Sequence, residues 1–385
     1  MIRKTNKGTT FLTTGLLVLQ PTPFCNINCT YCYLPNRKDT RRMPPSVVKA
    51  TVENLKASQL LEWTLTVVWH AGEPLTLPVD YYREVFAIVR DGLDGLVEVR
   101  QAVQTNLTLM TDEWCELFKE FAIHVGISLD GPASLHDRSR VSRTGAGTHE
   151  KVMRGLELVK KHKLPFNVIC VLTPEHLDRA DELFEYYREV APGEVAFNVE
   201  EAEGVHRTTS LALQGVEERV ECFYRKFFAR AAAEGFPYGV REFRWMEEFM
   251  MESQHDCHPK TNNQIVPFGI LSVAVDGSFC TFSPELLGQQ YEGAPLVFGN
   301  VSSDNFLDVL DNSPLLAKIQ SEITAGANQC LATCDHYFLC QGGAPSNKLY
   351  ENGSFATTET LFCRLTKKRL ADAYADVRES MLING

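Results

Sequence analysis

The sequence predicts an α/β protein: a parallel sheet built from six strand–helix units, followed by a smaller cysteine-bearing C-terminal unit. Two observations carry this. Apolar runs of strand length alternate with longer amphipathic runs of helical period over residues 1–235, and clustered cysteines mark both ends of the chain. A hydrophobic content of 44% with 10% aromatics suits a packed core and argues against disorder.

In chain order, the first strand is the apolar run Leu16, Leu17, Val18, Leu19, which ends at the polar Gln20. A β-rich run beginning near Trp63 closes with Val67, Val68 and Trp69, flanked by helical stretches at about 46–60 and 79–94. Further strands fit 96–103, 124–129, 166–172 and 194–199, and helices fit 112–121, 148–162, 175–190 and 215–234. Repeated βα units imply parallel strands joined by right-handed crossovers. The expected division is 1–235 for this repeat and 236–385 for the cysteine-bearing unit.

Charge narrows the function classes. Lys and Arg number 38 against 49 Asp and Glu, a formal net charge of −11, which excludes nucleic acid or an anionic membrane as a partner held by bulk electrostatics. The N-terminus has no sustained apolar segment with a small-residue cleavage site, and no run of about 18 apolar residues could cross a bilayer. A cytoplasmic protein is expected, with its thiols reduced. Its 12 cysteines then read as metal ligands where they cluster, and as buried apolar groups where they stand alone, as at Cys115, Cys170 and Cys222.

Cys25, Cys29 and Cys32 form a C-x3-C-x2-C loop directly after the first strand. Three thiolates on a short loop give a cubane iron–sulfur cluster three ligands and leave one iron open. A structural zinc ion normally takes four ligands, and no histidine lies in the loop to supply the fourth. Loops at the carboxyl ends of parallel strands are where α/β proteins place their active sites.

With Tyr31 before the third cysteine, this loop resembles the signature of the radical S-adenosylmethionine (SAM) enzymes. The resemblance implies a partial (β/α)6 barrel and a [4Fe–4S] cluster whose open iron is chelated by SAM, with Tyr31 near the adenine. His70-Ala71-Gly72-Glu73-Pro74 resembles the family's Gly-Gly-Glu-Pro motif with Ala71 at the first glycine, so Gly72 and Glu73 are expected at the SAM ammonium. By the same resemblance Asn106, Ser128 and Asp130 are assigned to the ribose and methionine portions of SAM, and Arg143 to its carboxylate. As isolated residues, each also fits a turn or helix cap.

Cys330, Cys334, Cys340 and Cys363 supply four thiolates, enough for one further [4Fe–4S] cluster, with a zinc ribbon as the competing reading. Cys257 and Cys280 offer two ligands toward another. The pattern resembles the SPASM extension of peptide-modifying radical SAM enzymes, which implies one or two auxiliary clusters. It departs from that extension in the three-residue gap between Cys330 and Cys334 and in Ala344, where a cysteine is usual.

Segments 341–348, 351–353, 358–360, 363–365, 281–288 and 197–201 resemble the cyclophane-forming GrrM/OscB type of maturase. That implies carbon–carbon cross-linking of a ribosomally made, glycine-rich-repeat precursor peptide. A 5′-deoxyadenosyl radical takes hydrogen from a side-chain Cβ, the carbon radical attacks an aromatic ring, and rearomatisation releases a proton and an electron. An auxiliary cluster fits the electron acceptor, and Asp276, Glu200 and Glu201 are candidates for the base. Asp276-Gly277 also reads as a hairpin turn.

Other SPASM chemistries stay open: formylglycine formation, thioether cross-linking, or epimerisation with Cys170 as hydrogen donor. A metal-stabilised peptide-binding scaffold is the non-enzymatic alternative. Expected partners are the precursor peptide and a flavodoxin or ferredoxin as electron donor. No room is expected before the first strand for a leader-binding domain, which places leader recognition on the C-terminal unit or on a separate protein.

Overall fold

A computed structural model describes residues 2–61, 63–255 and 262–384. Its centre is a ten-stranded sheet. Strands β1 (Leu16–Leu19), β2 (Thr64–Trp69), β3 (Glu98–Thr105), β4 (His124–Ser128), β5 (Phe166–Leu172) and β6 (Glu194–Val199) lie side by side in sequence order, all parallel. This is the six-unit α/β barrel sheet expected from the repeat.

Period-two alternation decides which residues face inward. In β2, Leu65, Val67 and Trp69 are fully buried against the surrounding helices, while Val68 faces the barrel interior. The helix Val79–Leu93 turns Tyr82, Val85, Phe86, Val89 and Leu93 to the sheet at helical spacing. The Trp69 ring meets Tyr82 and Phe86 edge-on at centroid distances of 5.6 and 5.4 Å, contacts worth about 0.5–1.5 kcal/mol each beyond area burial.

Helix boundaries differ most before β6. The stretch expected to be helical from 175 becomes helix only at Ala180, because the buried His176 closes a turn. Its Nδ1 accepts from the Thr173 amide at 3.1 Å and its Nε2 lies 3.0 Å from the Asp130 carbonyl, so local hydrogen bonds displace the first helical turn.

The division expected after residue 235 is crossed by the sheet itself. Gly239–Val240 (β7) extends the β6 edge, and Ile270–Val273 (β8) pairs in parallel with β1 at the other. Ser278–Thr281 (β9) and Gly299–Asn300 (β10) then continue outward antiparallel. All four residues of β8 are buried, as an interior strand requires. The helix Pro314–Thr333 and the C-terminal helix Arg369–Asn384 complete the chain, and no described helix is long and apolar enough to cross a membrane.

Candidate active site

The carboxyl ends of β1 to β6 open into one pocket. Cys25, Cys29 and Cys32 line it together with Gly72, Glu73, Asn106 and Ser128. The cysteine loop is pinned to the chain beyond β4: the Asn28 amide donates to Val141 O at 2.7 Å and the Thr30 amide to Ser139 O at 2.9 Å. Cys25 and Cys29 are buried, and burial pushes their thiols up to about 12 and about 11. Binding iron must therefore expel the thiol protons.

Glu73 is the most constrained carboxylate of the pocket. Its Oε1 accepts from the Thr105 hydroxyl at 2.6 Å and the Leu75 amide at 3.0 Å, and its Oε2 accepts from the Asn106 amide at 2.7 Å. Even so, burial lifts it to about 7. Gly72 has φ +58°, and a Cβ there would stand 2.4 Å from both the Phe24 and Thr22 carbonyl oxygens, so only glycine lets this loop pass the cysteine loop. Ala71, at φ +79°, carries a left-handed conformation that the family's glycine would adopt freely.

Asn106 braces the cysteine loop through Asn26 Oδ1 at 2.9 Å, and Ser128 Oγ accepts from Gln104 at 3.0 Å with both residues lining the pocket. Asp130 and Arg143 are placed differently from the expectation of direct SAM contacts. Asp130 lies behind the wall. It binds Arg140 through both oxygens at 2.9 and 3.1 Å, accepts from the Tyr31 hydroxyl at 2.5 Å, and accepts from the Val171 amide at 3.0 Å. The Arg140 guanidinium keeps the Asp130 carboxyl below the ordinary range despite its burial.

Arg143 is turned outward onto Cys25 O at 2.9 Å and over the Phe24 ring. Arg140 is the arginine that lines the pocket, with Nη1 4.0 Å from Cys29 Sγ and Cζ 5.4 Å from the Tyr31 ring centre. Nothing in its sequence context separated it from Arg143, since both follow the same short helix.

The pocket also gathers carboxylates. Glu200, Glu201, Glu203 and Glu285 line the pocket. Glu200 is engaged by Ser210 through its amide and hydroxyl. Glu201 accepts from Asn347 Nδ2 at 2.5 Å, and burial with Glu285 nearby lifts its carboxyl to about 8. Glu203 is 8% exposed with no side-chain hydrogen bond among the described residues, and burial raises it well above the ordinary range. The Tyr33 hydroxyl beside them is buried and unpartnered. Glu203, Glu285 and Tyr33 were missed because three distant segments meet here; the Glu-Ala-Glu spacing of 201–203 on one extended stretch was the available signal.

Asp276 is not in this pocket. It sits at the turn between β8 and β9, where its Oδ1 accepts from the Ser278 amide at 3.0 Å and Gly277 takes φ +86°. The turn reading therefore prevails over the base.

A sequence model of the radical SAM superfamily matches residues 19–187, the segment that carries the triad, Glu73, Asp130 and Arg140. Over 97% of its length the chain is 38% identical to the protein sll1766 of Synechocystis sp., covering 94% of that protein. The chain belongs to the radical SAM superfamily.

Among its radical SAM relatives is the serine-type anaerobic sulfatase-maturating enzyme of Bacteroides thetaiotaomicron, 31% identical over 43% of this chain and 41% of that enzyme. The fold matches the SAM-bound structure of anSMEcpe with a TM-score of 0.73 at 20% identity, covering 96% of this chain and 98% of that one. It also matches Streptococcus suis SuiB bound to the precursor peptide SuiA, with a TM-score of 0.66 at 15% identity, covering 92% of this chain and 76% of that one. The chain is thus a radical SAM enzyme related to the peptide-modifying, SPASM-type maturases.

The donor set of the pocket fits the family's cofactors. Three thiols line the pocket together, and their loop holds no histidine to complete a four-ligand zinc shell. That donor set suits a multi-iron cluster with one open iron. Cys25, Cys29 and Cys32 would hold the cluster; Glu73, Ser128, Tyr31 and Arg140 line the same pocket and would border SAM.

A second cavity gathers Cys330, Cys334, Cys340 and Cys363. Cys330 lies in the last turn of the helix Pro314–Thr333, Cys334 follows as its cap, and Cys340 and Cys363 end two short helical turns. Cys280 lies apart from them in β9, fully buried, with its thiol donating to Thr281 O at 3.1 Å. We read it as a core thiol, held in the inward register of a strand flanked on both sides. Cys257 lies outside the described residues.

Proposed function

We propose that this radical SAM enzyme installs a carbon–carbon, cyclophane cross-link between an aromatic ring and a side-chain Cβ of a ribosomally made, glycine-rich-repeat precursor peptide. The observation that carries the reading is that Glu201, Glu203 and Glu285 share one pocket with the cysteine triad, and that the helix Pro345–Asn352 joins this pocket to a four-cysteine cavity. Closing a ring onto an arene releases one proton and one electron. The chain offers an acceptor for each.

When bound, the reduced cluster and SAM supply the 5′-deoxyadenosyl radical that abstracts hydrogen. The protein's own contribution is positional. Glu73 is fixed by three donors, and the Asp130–Arg140 pair holds a guanidinium and the Tyr31 ring at the pocket wall. Asn347 occupies one oxygen of Glu201 and leaves the other able to take the ring proton, which its raised affinity favours. The likeness to SuiB, a structure bound to its precursor peptide, supports a peptide as the substrate class.

A second reading, formylglycine formation, draws support from the sulfatase-maturating relatives across the barrel. Coexpression with the small open reading frame beside the gene, followed by tandem mass spectrometry, separates the two. A loss of two hydrogens per motif, with fragmentation suppressed between the joined residues and no hydrazine reactivity, is expected. An aldehyde trapped by hydrazine, or an unchanged mass with inverted α-carbons, would overturn the cross-link.

A further inference from the structure

The helix Pro345–Asn352 runs between the two cavities, and consecutive side chains serve them in turn. Asn347 donates to Glu201 Oε2 at 2.5 Å, in the pocket of the cysteine triad. Lys348 directs its Nζ to 3.6 Å from Cys330 Sγ, in the four-cysteine cavity. Both residues are buried, Lys348 with only 4% of its surface exposed.

A lysine is almost never buried this fully without a counter-charge. Lys368, which lines the same cavity, is neutralised by Glu359. Lys348 has no carboxylate partner among the described residues; its side chain's hydrogen-bond partner is the Cys330 sulfur. The packing around it is fixed as well. A Cβ at Gly326 would stand 3.2 Å from Nζ and 2.5 and 2.7 Å from the Phe355 and Thr357 carbonyl oxygens, so the helix of Cys330 gives way to the ammonium group at a glycine. A buried cation whose partner is a thiol has a counter-charge when that thiol is a ligated thiolate.

We propose that Lys348 is a positioning residue that raises the reduction potential of a [4Fe–4S] cluster held by Cys330, Cys334, Cys340 and Cys363. This rests on the reading of that cavity as an auxiliary cluster site. One-electron reduction adds a unit of negative charge to a site already rich in thiolates. An ammonium group in hydrogen-bond reach of one sulfur, in surroundings of low dielectric, stabilises the reduced form more than the oxidised one. In the cross-linking step the ring C–H bond breaks with its proton going to Glu201 and the remaining electron to this cluster, which is reduced by one electron. Two adjacent residues of one helix thereby hold the proton acceptor and set the electron acceptor.

The test is a dithionite redox titration of the reconstituted holoenzyme followed by electron paramagnetic resonance, on wild type, Lys348→Met and Lys348→Arg, with iron determined for each. A Cys330→Ala variant assigns the auxiliary signal. The expected result is a lower midpoint potential for that signal in Lys348→Met, recovery in Lys348→Arg, and an unchanged midpoint for the triad cluster. Equal auxiliary midpoints in wild type and Lys348→Met at equal iron content would overturn the proposal. If Lys348→Met loses iron, Lys348→Gln against Lys348→Arg makes the same comparison. Wild-type iron content and spectra that do not change in Cys330→Ala would instead refute the cluster reading, and the inference with it.

Discussion

Glu201 concentrates the chemistry at the level of single residues. Its carboxyl, raised to about 8, is protonated at neutral pH and becomes an acceptor as the pH climbs. Cross-linked product is therefore expected to form faster as pH rises through about 8. In Glu201→Gln, product should fall by roughly 10²–10⁴-fold while SAM is still cleaved to 5′-deoxyadenosine. Parallel measurement of peptide product and 5′-deoxyadenosine checks this, and an equal loss of both would show that Glu201 acts on SAM binding instead. Glu203 makes a separate prediction. A carboxyl whose folded titration is raised contributes most to stability below its unfolded value of about 4.3, and that contribution is lost as pH rises through the folded value. This contribution to the melting temperature of the iron-free protein should decline as pH is raised above the unfolded value of about 4.3, and Glu203→Gln should remove that decline, as read by calorimetry across pH.

At the scale of elements, the alternation of the strands decides what sequence spacing alone left open. Ile169 and Val171 of β5 line the pocket, so Cys170 between them points the other way, fully buried toward Tyr187. It cannot serve as a hydrogen donor to a substrate in the barrel. Cys170→Ala is expected to cost about 1 kcal/mol in denaturant unfolding and to leave peptide modification intact. Loss of modification from a folded variant would reinstate epimerisation. The strands, most of the helices, the triad and Glu73 were legible because each rests on local periodicity or on a short motif. Arg140 and the Glu203–Glu285–Tyr33 grouping were not. Their roles depend on which way a side chain leaves its backbone and on which distant segment it meets, as when Asp130 draws Arg140 inward and leaves Arg143 to the backbone of Cys25.

At the scale of the molecule, the sheet runs unbroken from the barrel into β8, β9 and β10, and this continuity has a consequence for the cysteines. The residues after 235 are tied to the β1 edge through β8, and Cys280 is buried in that sheet. Register places Cys280 away from the four-cysteine cavity. The organisation we propose has two cofactor sites, a three-thiol site at the mouth of the barrel and a four-thiol site, bridged by the helix Pro345–Asn352.

Anaerobic reconstitution followed by iron and sulfide analysis tests that organisation most directly. Two [4Fe–4S] clusters predict about eight iron per chain. About four should remain after the joint replacement of Cys25, Cys29 and Cys32 by alanine, and Cys280→Ala should change nothing. About twelve iron in the wild type, with loss of four in Cys280→Ala, would contradict the account by assigning Cys280 to a third cluster.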